Sequence, residues 1–369
     1  MLAADQFPNV LAAVQEGIER RLHTGVQIYI SQRSQVLLNT GFGEAAPGIP
    51  MNSDIIMPWR SAGKPLTAVL ILKACEAGLL SLDDRLDQRL PEARETDKAA
   101  VRVIDLLTHS GGFPQTDTGW PHADWAASVQ AALQGQRQFE IGSAAYHPQS
   151  SWFILGEIAR RCFEAAEFSD ALSAELLIPL GLSEVWCGVP ADIVSREAAR
   201  FPALYEREQG SLVSSVYASS PWLNTSSPGG NLRGPIHELG RFYEMLLRDG
   251  VDQFGRAYLT PNSVRDMTRV HRVGMFDQTL QHVIDFGLGV ICNSNRYGVD
   301  SVPYGFGRFA SESAFGHGGS QCSMAFCDPQ HDLVVAWAAN GFCGEGQHQR
   351  RNRRINDAVY QDLGLAEMS

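Results

Sequence analysis

Of the 30 basic residues in this 369-residue chain, only three are lysines: Lys64, Lys73 and Lys98. Lys64 follows Ser61 by one helical turn in the stretch WRSAGKPLTAV. Arginine carries charge as well as lysine does, but it does not give up its proton near neutrality. A lysine amine does, once burial or a neighbouring cation lowers its pKa from about 10.4. A serine hydroxyl is a poor nucleophile until a base takes its proton, and a neutral amine one turn away is such a base. Taken alone, the pair reads equally well as an ordinary serine and a surface lysine on one helix.

Two further segments carry side chains of the right kind. Tyr146, in AAYHPQSSWFILGEIA, sits just before a helical run. A tyrosine beside a cation can move a proton; by itself a tyrosine here reads as a packing residue. The third segment is FGHGGSQCSMAF, Phe315 to Phe326. The small residues after His317 let another backbone or a ligand approach the strand closely. A backbone N–H at Ser320 would then sit with that of Ser61 to hold an oxyanion. A glycine-rich turn before a strand has the same composition.

These groups need elements to hold them. The N-terminal stretch has Phe7, Val10, Leu11, Val14, Ile18 and Leu22 at three- and four-residue steps, an amphipathic helix. Val26 to Ile30 and Gln35 to Thr40 read as the arms of an antiparallel hairpin, with Ser31 to Ser34 as its turn. Pro65 is tolerated only in the first turn of a helix, which places Ser61 at that helix's start. The middle, from about 80 to 280, is helical segments and long loops. VRVIDLLTHSGGF reads as a short helix stopped by its glycines, and IHELGRFYEMLLRDG as a longer one ending at Gly250. The polar stretch 190–230 reads as a disordered insertion or as a functional rim. Strand patterns return in DFGLGVICN and QCSMAFCDPQHDLVVAWAANG, and the last segment is amphipathic. The expected fold is α/β plus all-α. Residues 1–80 and 281–369 form an antiparallel sheet flanked by N- and C-terminal helices, and 81–280 form a mainly helical inserted domain.

Bulk properties narrow the function classes. A formal charge of −11 argues against nucleic-acid binding, and no apolar run approaches a membrane span. The N-terminus has no long apolar core of a signal peptide. The seven cysteines are scattered, with neither a CxxC pair nor zinc-ligand spacing. They read as buried thiols in a reducing compartment, so a cytoplasmic location is expected, with no metal and no cofactor.

Ser61-Ala-Gly-Lys64, Tyr146 and His317-Gly318-Gly319, in that order, resemble the motifs of the penicillin-recognising serine hydrolases. The resemblance is to the branch of class C β-lactamases and family VIII carboxylesterases. GLLSLDDRLDQRLPE, VRVIDLLTHSGGFP and DPQHDLVVAWAANG are similar to supporting stretches of that family, so the resemblance spans about residues 7–364. It implies the β-lactamase/transpeptidase-like fold and an acyl-enzyme on Ser61. Lys64 and Tyr146 would share the proton transfers, and the N–H groups of Ser61 and Ser320 would hold the oxyanion. His317, Gly318 and Gly319 fall on the family's third motif. His147, Trp120 and Trp222 are further candidates for touching substrate. His109 reads as a structural hydrogen-bonder, Asp105 as a helix residue, and Asp83-Asp84 as a solvated turn.

The chain departs from the class C pattern at two places. Pro148 stands where those enzymes carry an asparagine amide, and His317 replaces a permanent lysine cation. Both departures favour a small carboxylic ester as substrate, in an esterase or acyltransferase. The alternatives are a β-lactamase or D-amino-acid peptidase acting on an amide, and a non-catalytic ligand-binding relative. Retention of Ser61, Lys64 and Tyr146 together stands against the last.

Overall fold

The expected hairpin is present and longer than its apolar runs. Strands β1 (Gly25–Gln32) and β2 (Gln35–Ala46) pair antiparallel with Gln32 opposite Gln35. Only Arg33 and Ser34 are left for the turn, at φ 52° and 61°. Two left-handed residues make the tight loop whose twist matches its strands. The computed structural model describes residues 4–366.

Five more strands complete one antiparallel sheet: β3 (Ile49–Pro50), β4 (Ile291–Cys292), β5 (Phe315–Gly319), β6 (Ser323–Asp328) and β7 (Leu333–Ala339). The order is β4-β5-β6-β7-β1-β2-β3, so N-terminal and C-terminal strands meet where Val26 pairs with Ala339. The helices that matter for the site are α1 (Pro8–Glu19), α2 (Lys64–Glu76), α3 (Ser150–Cys162), α4 (Ile236–Leu247) and α5 (Glu345–Asp362).

Side chains alternate across the sheet, and both faces are covered. Val26, Ile28, Ile30, Val335 and Trp337 join Val10 and Val14 of α1 and Ile355 and Val359 of α5 in one apolar cluster. Tyr29, Val334, Ala336 and Ala338 join Leu239 and Phe242 of α4 in the other, which continues into α2 and α3. Helix α4, which falls within the stretch expected as the inserted part, therefore packs on the sheet. This double burial is why LVVAWAA is apolar at every position.

Three local readings are corrected. Leu11 is 43% exposed, because α1 seats on the line Val10, Ala13, Val14 and Gly17. The short helix Val103–Leu107 stops at His109, which turns left-handed (φ 56°) before the glycines are reached. The stretch 190–230 is no disordered insertion: it carries a helix (Ala191–Arg196) and a hairpin (Tyr205–Glu208 with Ser211–Ser214). Among the described residues no helix is long and apolar enough to cross a membrane. All seven cysteines are free thiols.

Helix α4 meets the sheet through Gly240. A Cβ there would lie 2.2 Å from Tyr29 Cδ1, and the Tyr29 hydroxyl donates to Glu244 Oε1 at 2.6 Å. Alanine is the better helix former, yet Gly240→Ala is expected to destabilise the fold by about 1–3 kcal/mol through overpacking. A lowered Tm relative to the parent protein checks this.

Candidate active site

The turn that carries Ser61 is pinned from both sides. Met57 and Pro58 pair with Leu232–Gly234, and Trp59 donates its N–H to Leu232 O (3.0 Å) and its indole N–H to Gly234 O (2.9 Å). Arg60 then takes a φ of 53°, a left-handed conformation that costs a non-glycine residue about 1–3 kcal/mol. Residues Arg60–Gly63 form a 3-10 turn that runs directly into α2, with Pro65 in the first helical turn as expected.

Lys64 points back along that turn and is fully buried. Its Nζ lies 2.9 Å from Ser61 Oγ, 2.8 Å from the Pro148 carbonyl, and against the Gly229 carbonyl. Carbonyl oxygens only accept, so a neutral amine with both hydrogens on them would turn its lone pair to Ser61 Oγ, whereas an ammonium would donate to all three. Burial, helped by the charge of Arg60, holds the amine well below the ordinary lysine range. Lys98 is equally buried but has Asp97 at 3.1 Å. The contacts of the Lys64 amine are a hydroxyl and two carbonyls, with no carboxylate among them.

Tyr146 brings its ring to 5.4 Å from Lys64 Nζ. Burial pushes this phenol above its ordinary range, and the Ser61 side chain works the other way. Its backbone is held by residues that sequence reasoning missed. Tyr146 N–H donates to Asp277 Oδ1 (3.0 Å), and Asp277 Oδ2 accepts from Arg272 (2.8 Å) in a buried ion pair. Arg272 also donates to the carbonyls of Thr108 and His109, each at 3.2 Å. The His109 ring packs 4.5 Å from the Tyr146 ring and accepts the His147 N–H at 3.0 Å. His109 thus has the structural place read from the sequence.

Strand β5 forms the opposite wall. His317 is buried, and its Nδ1 lies 2.8 Å from Gly318 O, so that nitrogen carries the hydrogen and Nε2 is left a lone pair without a partner. Burial pushes the imidazole down to about 3, with Lys64 adding to the effect. The glycines serve close approach, as expected, but largely of the chain to itself. A Cβ on Gly319 would lie 2.2 Å from Trp59 O, and one on Gly318 would lie 2.2 Å from the Tyr304 ring. Ser320 follows the strand end, with its hydroxyl donating to Glu345 (2.9 Å).

Ser61, Tyr146, His317, Gly318 and Ser320 line one cavity of about 440 Å³, with Gln149 and Glu345 among its other walls. Lys64 lies behind Ser61, and Gly319 against Trp59 O, rather than in the wall itself, and three further candidates are not brought there. His147 is buried and accepts the Phe113 N–H through Nε2 (3.2 Å). Trp120 and Trp222 pack edge to face at 5.1 Å and reach the site only through Tyr217, whose ring meets Trp222 at 4.8 Å and lies under Arg60 at 4.2 Å. Gln149 was also missed. Its Oε1 accepts from Ser227 Oγ (2.8 Å), which leaves an amide NH₂ beside Pro148.

The chain matches the family model described as Beta-lactamase over residues 10–360. It is 26% identical over 313 residues to penicillin-binding protein 4 of Amycolatopsis lactamdurans, covering 82% of this chain and 77% of that protein. It is 23% identical over 344 residues to the esterase/beta-lactamase LipL of Mycobacterium tuberculosis, covering 85% and 76%. In fold it is similar to the crystal structure of a family VIII carboxylesterase, with TM-score 0.79 and 21% identity, covering 98% of this chain and 99% of that one.

The Arg272–Asp277 pair can be tested apart from the chemistry. Asp277→Ala strands a buried guanidinium and frees the Tyr146 N–H. It is expected to cost about 3–5 kcal/mol of stability, measured by denaturant unfolding.

Proposed function

The chain belongs to the beta-lactamase family, and from that premise we propose that it cleaves a small carboxylic ester through an acyl-enzyme on Ser61, as an esterase or acyltransferase. One observation carries this reading: the buried Lys64 Nζ lies 2.9 Å from Ser61 Oγ, and its other contacts are the carbonyls of Pro148 and Gly229, with no carboxylate among them.

In this reading Ser61 Oγ attacks the ester carbonyl while its proton passes to Lys64 Nζ. The oxyanion is held by the N–H groups of Ser61 and Ser320. Tyr146, kept a phenol by burial, gives a proton to the departing alkoxide and recovers one from Lys64. Water, or an acceptor alcohol, then attacks the acyl group with the proton transfers reversed. The preference for esters over lactams rests on His317, which supplies no cation for a substrate carboxylate. Pro148 supports it less, since the Gln149 amide stands in the next position.

Brief exposure to a short-chain activated ester and to a chromogenic cephalosporin, followed by intact-protein mass spectrometry, tests the proposal. Ester turnover with an acyl adduct that Ser61→Ala abolishes, and little from the cephalosporin, is the expected result. Rapid cephalosporin turnover moves the assignment to the lactamase reading.

Lys64→Arg puts a permanent cation where the mechanism needs a neutral amine and removes the lone pair, and is expected to lower kcat/KM about a thousandfold or more. The pH profile follows from the same groups. Lys64 must be neutral and its pKa is depressed; Tyr146 must be protonated and its pKa is raised. Activity is therefore lost as pH falls through the Lys64 pKa, well below the usual value of about 10.4, and stays flat above it to beyond the ordinary tyrosine range. An acidic limb at the usual lysine pKa would contradict the assignment of Lys64 as base.

A further inference from the structure

The cavity wall includes an exposed carboxylate with no cation among its hydrogen-bond partners. Glu345 opens α5, and its carboxylate accepts the hydroxyls of Tyr304 (Oε2, 2.7 Å) and Ser320 (Oε1, 2.9 Å). Its third contact is the Gln349 amide at 3.5 Å. No ammonium or guanidinium is among these partners. The first turn of a helix is where a carboxylate is best tolerated, and the two hydroxyls hold this one in place beside Ser320. Its charge helps to raise the phenol of Tyr146, against the weaker pull of Arg60, which works the other way.

The rest of the wall does not offset it. His317 adds no permanent cation there: its ring is buried and its Nε2 has no partner. Arg60, the cation among the lining residues, has its guanidinium over the Tyr217 ring at 4.2 Å, on the side of a neighbouring depression that Phe342 also lines. A substrate in the cavity therefore meets, on the Ser320 side, a carboxylate that has no ion-pair partner.

We propose that this site selects esters whose acyl or alcohol part carries an ammonium group, with Glu345 receiving the cation, and that it turns away substrates bearing a free carboxylate there. The inference rests on the ester-hydrolase reading above and names its substrate class.

Isosteric pairs separate charge from shape. One pair varies the alcohol: choline against 3,3-dimethylbutyl esters of one acid. The other varies the acyl part: p-nitrophenyl 4-(trimethylammonio)butanoate against 5,5-dimethylhexanoate. In at least one pair the cationic member is expected to show kcat/KM about tenfold above its neutral isostere at low salt. That ratio should shrink toward one at about 0.5 M salt. Glu345→Gln should bring the ratio to about one, and Glu345→Lys should invert it. Because the readout is a ratio within one protein, a general loss of activity in a variant does not mimic the effect. Ratios at or below one in both pairs, or a ratio that survives Glu345→Gln, would overturn the inference while leaving the hydrolase standing. Absence of turnover and of a Ser61 adduct with the neutral esters would instead remove the reading on which it rests.

Discussion

The Lys64 amine sits out of water without a counter-ion, and the surrounding architecture is arranged around that fact. An ammonium in such a place loses its hydration at a cost of several kcal/mol, which holds the amine well below the ordinary lysine range. A carboxylate at Nζ would work the other way and hold the proton there. The acids near the site are kept one step away: Asp277 is committed to Arg272 and to backbone N–H groups, and Glu345 to two hydroxyls. Carbonyls of Pro148 and Gly229 do the holding, which ties a loop before α3 and the end of the 190–230 stretch to the turn that carries Ser61. A Cβ on Gly229 would lie 2.7 Å from Trp152, so the loop closes only with glycine there.

What could be read from the sequence was local. The hairpin, the proline at the start of α2 and the three short motifs depend on spacing within a few residues, where chain stereochemistry leaves few options. The partners that complete the site are distant in sequence and ordinary in type. Asp277 acts on the backbone of Tyr146, and Gly229 acts through its carbonyl. Neither role has a sequence pattern. Gln149 adjoins a motif position, and an offset of one was enough to hide it. The tryptophans failed differently: large aromatic residues in loops suggest a pocket, but Tyr217 stands between them and the cavity. Composition does not distinguish a wall from the layer behind it.

The 190–230 stretch shows the same limit from another side. Its polarity reflects a segment that buries only one side and hydrogen-bonds mostly through backbone. Serine, asparagine and glycine serve that purpose as well as they serve disorder. Its last residues are deeply engaged all the same: Thr67 donates to Pro228 O (3.0 Å), and Asn231 donates to the carbonyls of Trp222 and Thr225, each at 2.9 Å.

The sheet order has a consequence for biosynthesis. Strand β1 lies between β2, made immediately after it, and β7, made near the end of the chain. Until β7 emerges, one edge of an apolar hairpin has no partner, an arrangement open to wrong pairing. The same late segment supplies β5 and α5, which bring His317, Ser320 and Glu345 to the cavity. A nascent chain therefore carries Ser61 and Lys64 without the wall beside them until residues 315–362 have emerged, and the closing of the sheet is also the step that completes the cavity.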